Sequence, residues 1–236
     1  MLMKRELTVI PTKKQLLWGM IYLPVDMFLL PLLLSLGVIL LGSYIPFSLS
    51  AGQFNGIYFA INFTVMILIF RKLLLQELRR LKGQLIAIFK AVGLGFLIYM
   101  VSNFYLSMLL MTLDPTFSNV NDAAIAKMAS QDYWIILLGT VVLVPITEEL
   151  LFRSVLFAGF YNRNRWAAYI VSLLIFSAVH VIGYIGEYSA TTLLLCLLQY
   201  FPGSLCLCWV YAKADSVFAP VLLHTVINIL GILSLR

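Results

Sequence analysis

Charge is scarce in this chain: Asp, Glu, Lys and Arg make up 11% of its 236 residues, against about 25% in an ordinary soluble domain. A water-facing surface cannot be covered by so few charges. With 62% of residues hydrophobic and laid in long blocks from end to end, a soluble fold is excluded and a membrane domain is left. Histidine is scarcer still, with only His180 and His224. The three cysteines, Cys196, Cys206 and Cys208, fall in one apolar run without the two-residue spacing of a zinc or redox pair, and read as packing residues. The net charge of +6 does not signal nucleic acid, because no basic stripe carries interleaved exposed aromatics. Lys and Arg gather instead in short connectors, where they set orientation and meet anionic headgroups. Internal repeats and low-complexity segments are lacking as well.

What is present is a series of apolar windows, each about 20 residues long, the length that crosses a ~30 Å hydrocarbon layer. The expected fold is all-α and polytopic, with about seven spans near residues 22–43, 54–70, 85–111, 133–158, 166–185, 190–211 and 216–235. The first is broken by Pro24, Asp26 and Pro31 and the sixth by Pro202 and Gly203, so kinks or tilts are expected there. Lys4, Arg5, Lys13 and Lys14 precede an apolar run from Leu16 to Leu41, too long for a signal-peptide core, which should stay as the first membrane helix. Segment 71–82 interleaves Arg71, Lys72, Glu77, Arg79, Arg80 and Lys82 with leucines. It suits either a surface helix or, slightly preferred, a helical extension of a neighbouring span. The chain is expected to be one membrane domain over 1–236, with accessory spans in 1–130 and the chemistry in 131–236.

Three ionisable groups, Glu148, Glu149 and Arg153, crowd into six residues of the fourth span. Each costs about 2.5–3.5 kcal/mol at mid-bilayer, a burden that points to use. Glu149 and Arg153 are four apart with the acid first, the favourable order for an intrahelical ion pair, so they form the support. Glu148 is turned about 100° from Glu149 and is free to act. Phe176 and His180 share a face of the fifth span, as His224 and Asn228 share one of the seventh. From the rise of the helix, Glu148, His180 and His224 lie ~14, ~20 and ~12 Å in from the side expected to be cytoplasmic, so they can meet in one layer. Asp26 is read as a mark of the cytoplasmic interface, Lys90 as a snorkelling side chain, and Trp18, Trp134 and Trp166 as interfacial anchors.

These residues resemble the motifs of the CAAX protease and bacteriocin-processing family, which includes type II CAAX prenyl endopeptidases and bacterial Abi proteins. Glu-Glu-x-x-x-Arg matches Glu148, Glu149 and Arg153; Phe-x-x-x-His matches Phe176 and His180; His-x-x-x-Asn matches His224 and Asn228. The ordered set covers roughly the last 90 residues. The His-Glu-x-x-His, Gly-x-Ser-Gly and Gly-x-Gly-Asp motifs of other intramembrane proteases are lacking. The resemblance implies an intramembrane peptidase of the bacterial plasma membrane. It would cleave a peptide or the C-terminal region of a small, lipidated or membrane-associated protein near the cytoplasmic side.

Peptide hydrolysis needs an activated water and an oxyanion donor, and two mechanisms remain open. Without metal, Glu148 is the general base, His180 orients the water, and His224 and Asn228 donate to the oxyanion. With zinc, His180, His224 and Glu148 are the ligands. The metal-free version is favoured, because Asn is a poor zinc ligand and no helix offers a His-x-x-x-His pair. Two readings from other classes compete: a non-catalytic scaffold or regulator, of a sensor kinase or of peptide immunity, and a proton-coupled transporter using buried Glu and His. The implied partners are a peptide or protein substrate and the lipid bilayer.

Orientation follows the positive charges. Lys4, Arg5, Lys13, Lys14, Arg71 to Lys82, Arg163, Arg165 and Lys213 share one side if spans alternate, whereas Lys127 and Arg236 lie on the other. The N-terminus is then cytoplasmic, the C-terminus outside, and the segment from Asp114 to Asp132 the largest external loop. A cysteine introduced at Ser118 is expected to react with an impermeant thiol reagent added from outside, and one at Asn164 to stay protected. The reverse pattern overturns this orientation.

Overall fold

The computed structural model describes residues 6–234; Lys4, Arg5 and Arg236 lie outside the described residues. The backbone is helical, and among the described residues no strand forms beyond an isolated bridge between Ile185 and Tyr188. Five helical elements are long and apolar enough to cross a membrane: α1 (Lys13–Tyr44), α2 (Ala51–Leu113), α3 (Val120–Tyr161), α4 (Arg165–Tyr184) and α5 (Ala190–Ala214). A shorter apolar helix, α6 (Phe218–Leu233), follows.

Local signals start these helices where the chain carries oxygen side chains. Thr12 and Ser50 each cap a helix and are capped back by Gln15 and Gln53, a reciprocal arrangement that satisfies two otherwise orphaned N–H groups at each start. Asn119 accepts from the N–H groups of Asn121 and Asp122 and begins α3 at Val120. The expected external loop from Asp114 to Asp132 is therefore mostly helix. The Ala-rich stretch after Asn119 has high helix propensity, and only the backbone of Asp132 departs from helical angles.

The expected kinks have distinct forms. After Pro24, α1 widens into a π-helical turn over Val25–Leu29, while α5 is interrupted at Tyr200 between Ala190–Gln199 and Phe201–Ala214. Segment 71–82 continues the helix without a break, as its favoured reading required, so two expected spans lie in the single element α2. A straight helix of its 63 residues would run about 95 Å. α2 bends instead, since Tyr58 and Tyr99, one from each half, line the same cavity.

Packing separates a lipid-type face from a core. On the second half of α2, Leu97, Val101, Phe104 and Met108 form an exposed stripe, while Ile88, Ala91, Val92 and Gly95 are buried. Trp18, Trp134 and Trp166 are exposed, as anchors in a headgroup layer would be. All three cysteines are buried and unpaired with one another, and the Cys208 thiol donates to Ser172 Oγ at 3.4 Å.

At one end of the bundle polar groups tie the segments together. Asp215, in the left-handed conformation at φ 53°, receives the Thr8 N–H at 2.9 Å and Arg80 Nη2 at 3.0 Å. Ser216 donates to buried Glu77 at 2.6 Å, and Asn162 exchanges two hydrogen bonds with the backbone of Leu7. The middle of α2, the N-terminal strap, the α3–α4 turn and the α5–α6 turn therefore meet at one end, while Ser50 and Asp132 meet elsewhere.

A Cβ added at Gly95 would lie 2.3 Å from Val210 Cγ1, whereas one at Gly93 meets nothing within 4 Å. Gly95→Leu is expected to cost about 1–3 kcal/mol by overpacking and to lower the melting temperature in detergent. Gly93→Leu on the same helix should match or exceed the parent, because Gly is a poor helix former. Equal melting temperatures for the two variants would disprove the close approach of α2 to α5.

Candidate active site

The fourth expected span, within α3, is not a regular α-helix. It passes through a π-helical turn at Gly139–Leu143, a short α-helical stretch at Val144–Glu148, and a second π-helical run at Glu149–Ala158. Wide turns of this kind concentrate at functional positions in helices. Glu148 and Glu149 straddle the change of winding. Glu148 is partly exposed and lines a cavity of about 700 Å³, and Glu149 is fully buried behind it.

Glu149 has two partners. Its Oε2 lies 3.2 Å from Arg153 Nε, the ion pair expected from the spacing, and its Oε1 lies 2.8 Å from His224 Nδ1. The sequence offered no sign of the second contact. Arg153 is also fully buried; its Nη2 donates to Ser204 Oγ at 3.3 Å and Ser204 O at 3.4 Å, and its guanidinium lies 4.0 Å above the Phe176 ring. Phe176 stands between the two histidines, with ring centroids 4.6 Å from His180 and 6.1 Å from His224.

Each imidazole is oriented by its Nδ1. His180 Nδ1 lies 2.7 Å from the carbonyl oxygen of Phe176. A carbonyl only accepts, so Nδ1 carries the proton. Glu149, an ion-paired carboxylate, accepts from Nδ1 of His224 in the same way. The two Nε2 atoms then face Glu148, at 4.0 Å from its Oε1 for His180 and 3.8 Å from its Oε2 for His224. Glu148 Oε2 is buried and has no hydrogen-bond partner among the described residues. Glu148 and the two Nε2 atoms thus converge on one small volume, a geometry suited to holding one small hydrogen-bonding molecule.

Spacing tests whether the same groups form a metal cage. Two ligands on a tetrahedral zinc lie about 3.4 Å apart, and two acceptors sharing one water about 4.6 Å. The observed separations fall between these, and among the described residues no trio of His, Cys, Asp and Glu has metal-ligand geometry.

Asn228 also lines the cavity, with one N–H of its amide donated to Thr140 O at 2.7 Å; the amide keeps a second N–H. Sequence reasoning missed Tyr200, whose ring stacks on His180 at 4.4 Å and 34° and whose hydroxyl donates to Asn119 at 3.2 Å. Asp26 is a correction. Read as an interface marker, it instead lines the cavity with Glu148, because the π-helical turn after Pro24 sets it on the inner wall. The interrupted apolar pattern around Pro24 was the signal available.

Removing Arg153 leaves Glu149 buried and uncompensated. Arg153→Ala is expected to lose about 3–5 kcal/mol, seen as a lower melting temperature in detergent. A variant as stable as the parent would detach Arg153 from this supporting role.

Comparison with known proteins falls on the same region. Residues 130–230 match the family described as Type II CAAX prenyl endopeptidase Rce1-like. Over 90 residues the chain is 31% identical to the UPF0177 protein YxdF of Lactococcus lactis subsp. lactis (strain IL1403), covering 38% of this chain and 44% of that relative. The chain thus spans less than half the length of the curated relative it matches. No solved structure matches it significantly. The long apolar helices and this match point to a membrane protein, and the segment that carries Glu148, His180 and His224 lies within the residues, 130–230, that match the Type II CAAX prenyl endopeptidase Rce1-like family.

Proposed function

We propose that the protein is an intramembrane endopeptidase in which Glu148 activates a water. The observation that carries this reading is the convergence of Glu148 and the two Nε2 atoms, at 3.8 and 4.0 Å, on one wall of a cavity inside an apolar bundle. Glu148 and His180 Nε2 take the two protons of a water and aim its lone pair at a substrate carbonyl; Glu148 removes one proton as the oxygen attacks. His224, oriented at Nδ1 by Glu149, turns Nε2 towards the position of the developing oxyanion and donates to it when both ring nitrogens carry a proton, with the second N–H of Asn228 as another donor. Glu148 returns its proton to the leaving amine. Phe176 and Tyr200 keep His180 in place and exclude bulk water.

The substrate is a peptide or the C-terminal region of a small membrane-associated protein, reached near the cytoplasmic side of a bacterial plasma membrane. In this reading the N-terminus is cytoplasmic, and bent α2 supplies two of about seven crossings. Residues before about 130 shape substrate access.

Glu148→Gln keeps the shape and loses the base. Cleavage, read by mass spectrometry of membrane peptides with and without the protein, is expected to fall by at least about 100-fold with the melting temperature near the parent's. Cleavage that survives this substitution sinks the mechanism and favours a regulatory scaffold. An active preparation with stoichiometric zinc, inactivated by chelation and restored by zinc, would replace the water-only route with a metal one.

A further inference from the structure

The cavity runs against the charge of the chain. The protein carries a net +6, yet among the described residues the cavity is lined by three carboxylates, Asp26, Asp122 and Glu148, and by no Lys or Arg. The guanidinium of Arg153 is spent on Glu149 behind the wall. Asp26 and Glu148 are close enough to repel one another, while exposed Asp122 interacts with His180. A carboxylate in the first span costs about 2.5–3.5 kcal/mol on insertion scales, and the hydrolytic chemistry proposed above makes no use of Asp26.

Its setting is nonetheless built. The π-helical turn Val25–Leu29 places Asp26 on the inner wall. Tyr58, from the facing half of α2, donates to Asp26 Oδ1 at 2.7 Å and lies 3.2 Å from its backbone carbonyl. Tyr22, one turn earlier, donates to Asn62, one turn beyond Tyr58. One carboxylate oxygen is thereby fixed without being neutralised. A negative wall with no cation among the described residues favours a peptide that brings a positive charge.

We infer that Asp26 is a specificity-determining residue that receives a Lys or Arg side chain of the substrate close to the scissile bond. The inference rests on the peptidase reading for its substrate, but the charge preference itself concerns binding and can be read without cleavage. A substrate ammonium or guanidinium beside Asp26 relieves its repulsion with Glu148 and forms a charge-assisted hydrogen bond in a site of low dielectric.

The test uses full-length Glu148→Gln protein in detergent and three otherwise identical apolar peptides bearing a single central Lys, norleucine or Glu. Fluorescence polarisation is expected to give the Lys peptide a Kd about tenfold or more below that of the norleucine peptide, with the Glu peptide weakest. Adding Asp26→Asn, which keeps an acceptor for Tyr58, should erase the preference, and adding Asp26→Glu should restore it. A Lys peptide carrying a neighbouring photoreactive group should crosslink to 25–29 or 58–62, a readout that needs no Asp26 variant. Equal affinities for Lys and norleucine peptides, an unchanged preference in folded Asp26→Asn protein, or crosslinks elsewhere overturn the inference. If the preference holds but protein with Glu148 intact cleaves none of the peptides, the peptidase reading fails and the charge preference stands.

Discussion

A buried carboxylate held by a buried guanidinium lies at the centre of this structure. Glu149 and Arg153 are both wholly shielded from solvent and 3.2 Å apart. In an apolar interior neither charge could be accommodated alone. Around the pair, Glu149 holds His224 Nδ1, Arg153 Nη2 reaches Ser204, and the Phe176 ring lies beneath the guanidinium. Three helices are thereby tied to α3 by groups whose separation would expose an unpaired charge to hydrocarbon. The direction of His224 Nε2 towards Glu148 is a consequence of this anchor.

The irregular winding of α3 gives the two adjacent glutamates different environments. Glu148 ends a short α-helical stretch and Glu149 begins a π-helical run, so one carboxylate enters the cavity and the other the core. Another π-helical turn does similar work in α1, where it brings Asp26 to the cavity wall. In both places a local departure from the regular helix turns a charged side chain away from lipid and towards a polar volume, where its desolvation cost is smaller. The spans before residue 130 thus contribute to the cavity through Asp26 and Tyr58 although the family match begins at residue 130.

Much of the local architecture could be read from the sequence. Scarce charge and long apolar blocks specify membrane helices because the backbone cannot cross hydrocarbon without satisfying itself internally. The spacing of Glu149 and Arg153 foretold an ion pair that indeed forms, and the helical rise allowed Glu148, His180 and His224 to share a layer, where they meet. All of these are properties of one helix or of its depth.

What the tertiary structure alone decided is which helices are neighbours and how each faces the others. The Glu149–His224 contact, the stacking of Tyr200 on His180 and the passage of Asp26 from an assumed interface to the cavity wall beside Glu148 depend on packing between residues 75, 20 and 122 positions apart in the chain. The bend that brings Tyr58 and Tyr99 to one cavity depends on packing as well, since α2 carries no proline to announce it. Composition and periodicity are summed along the chain, whereas helix rotation and curvature are set by the side chains that meet across it, and those pairings are not written at any single position.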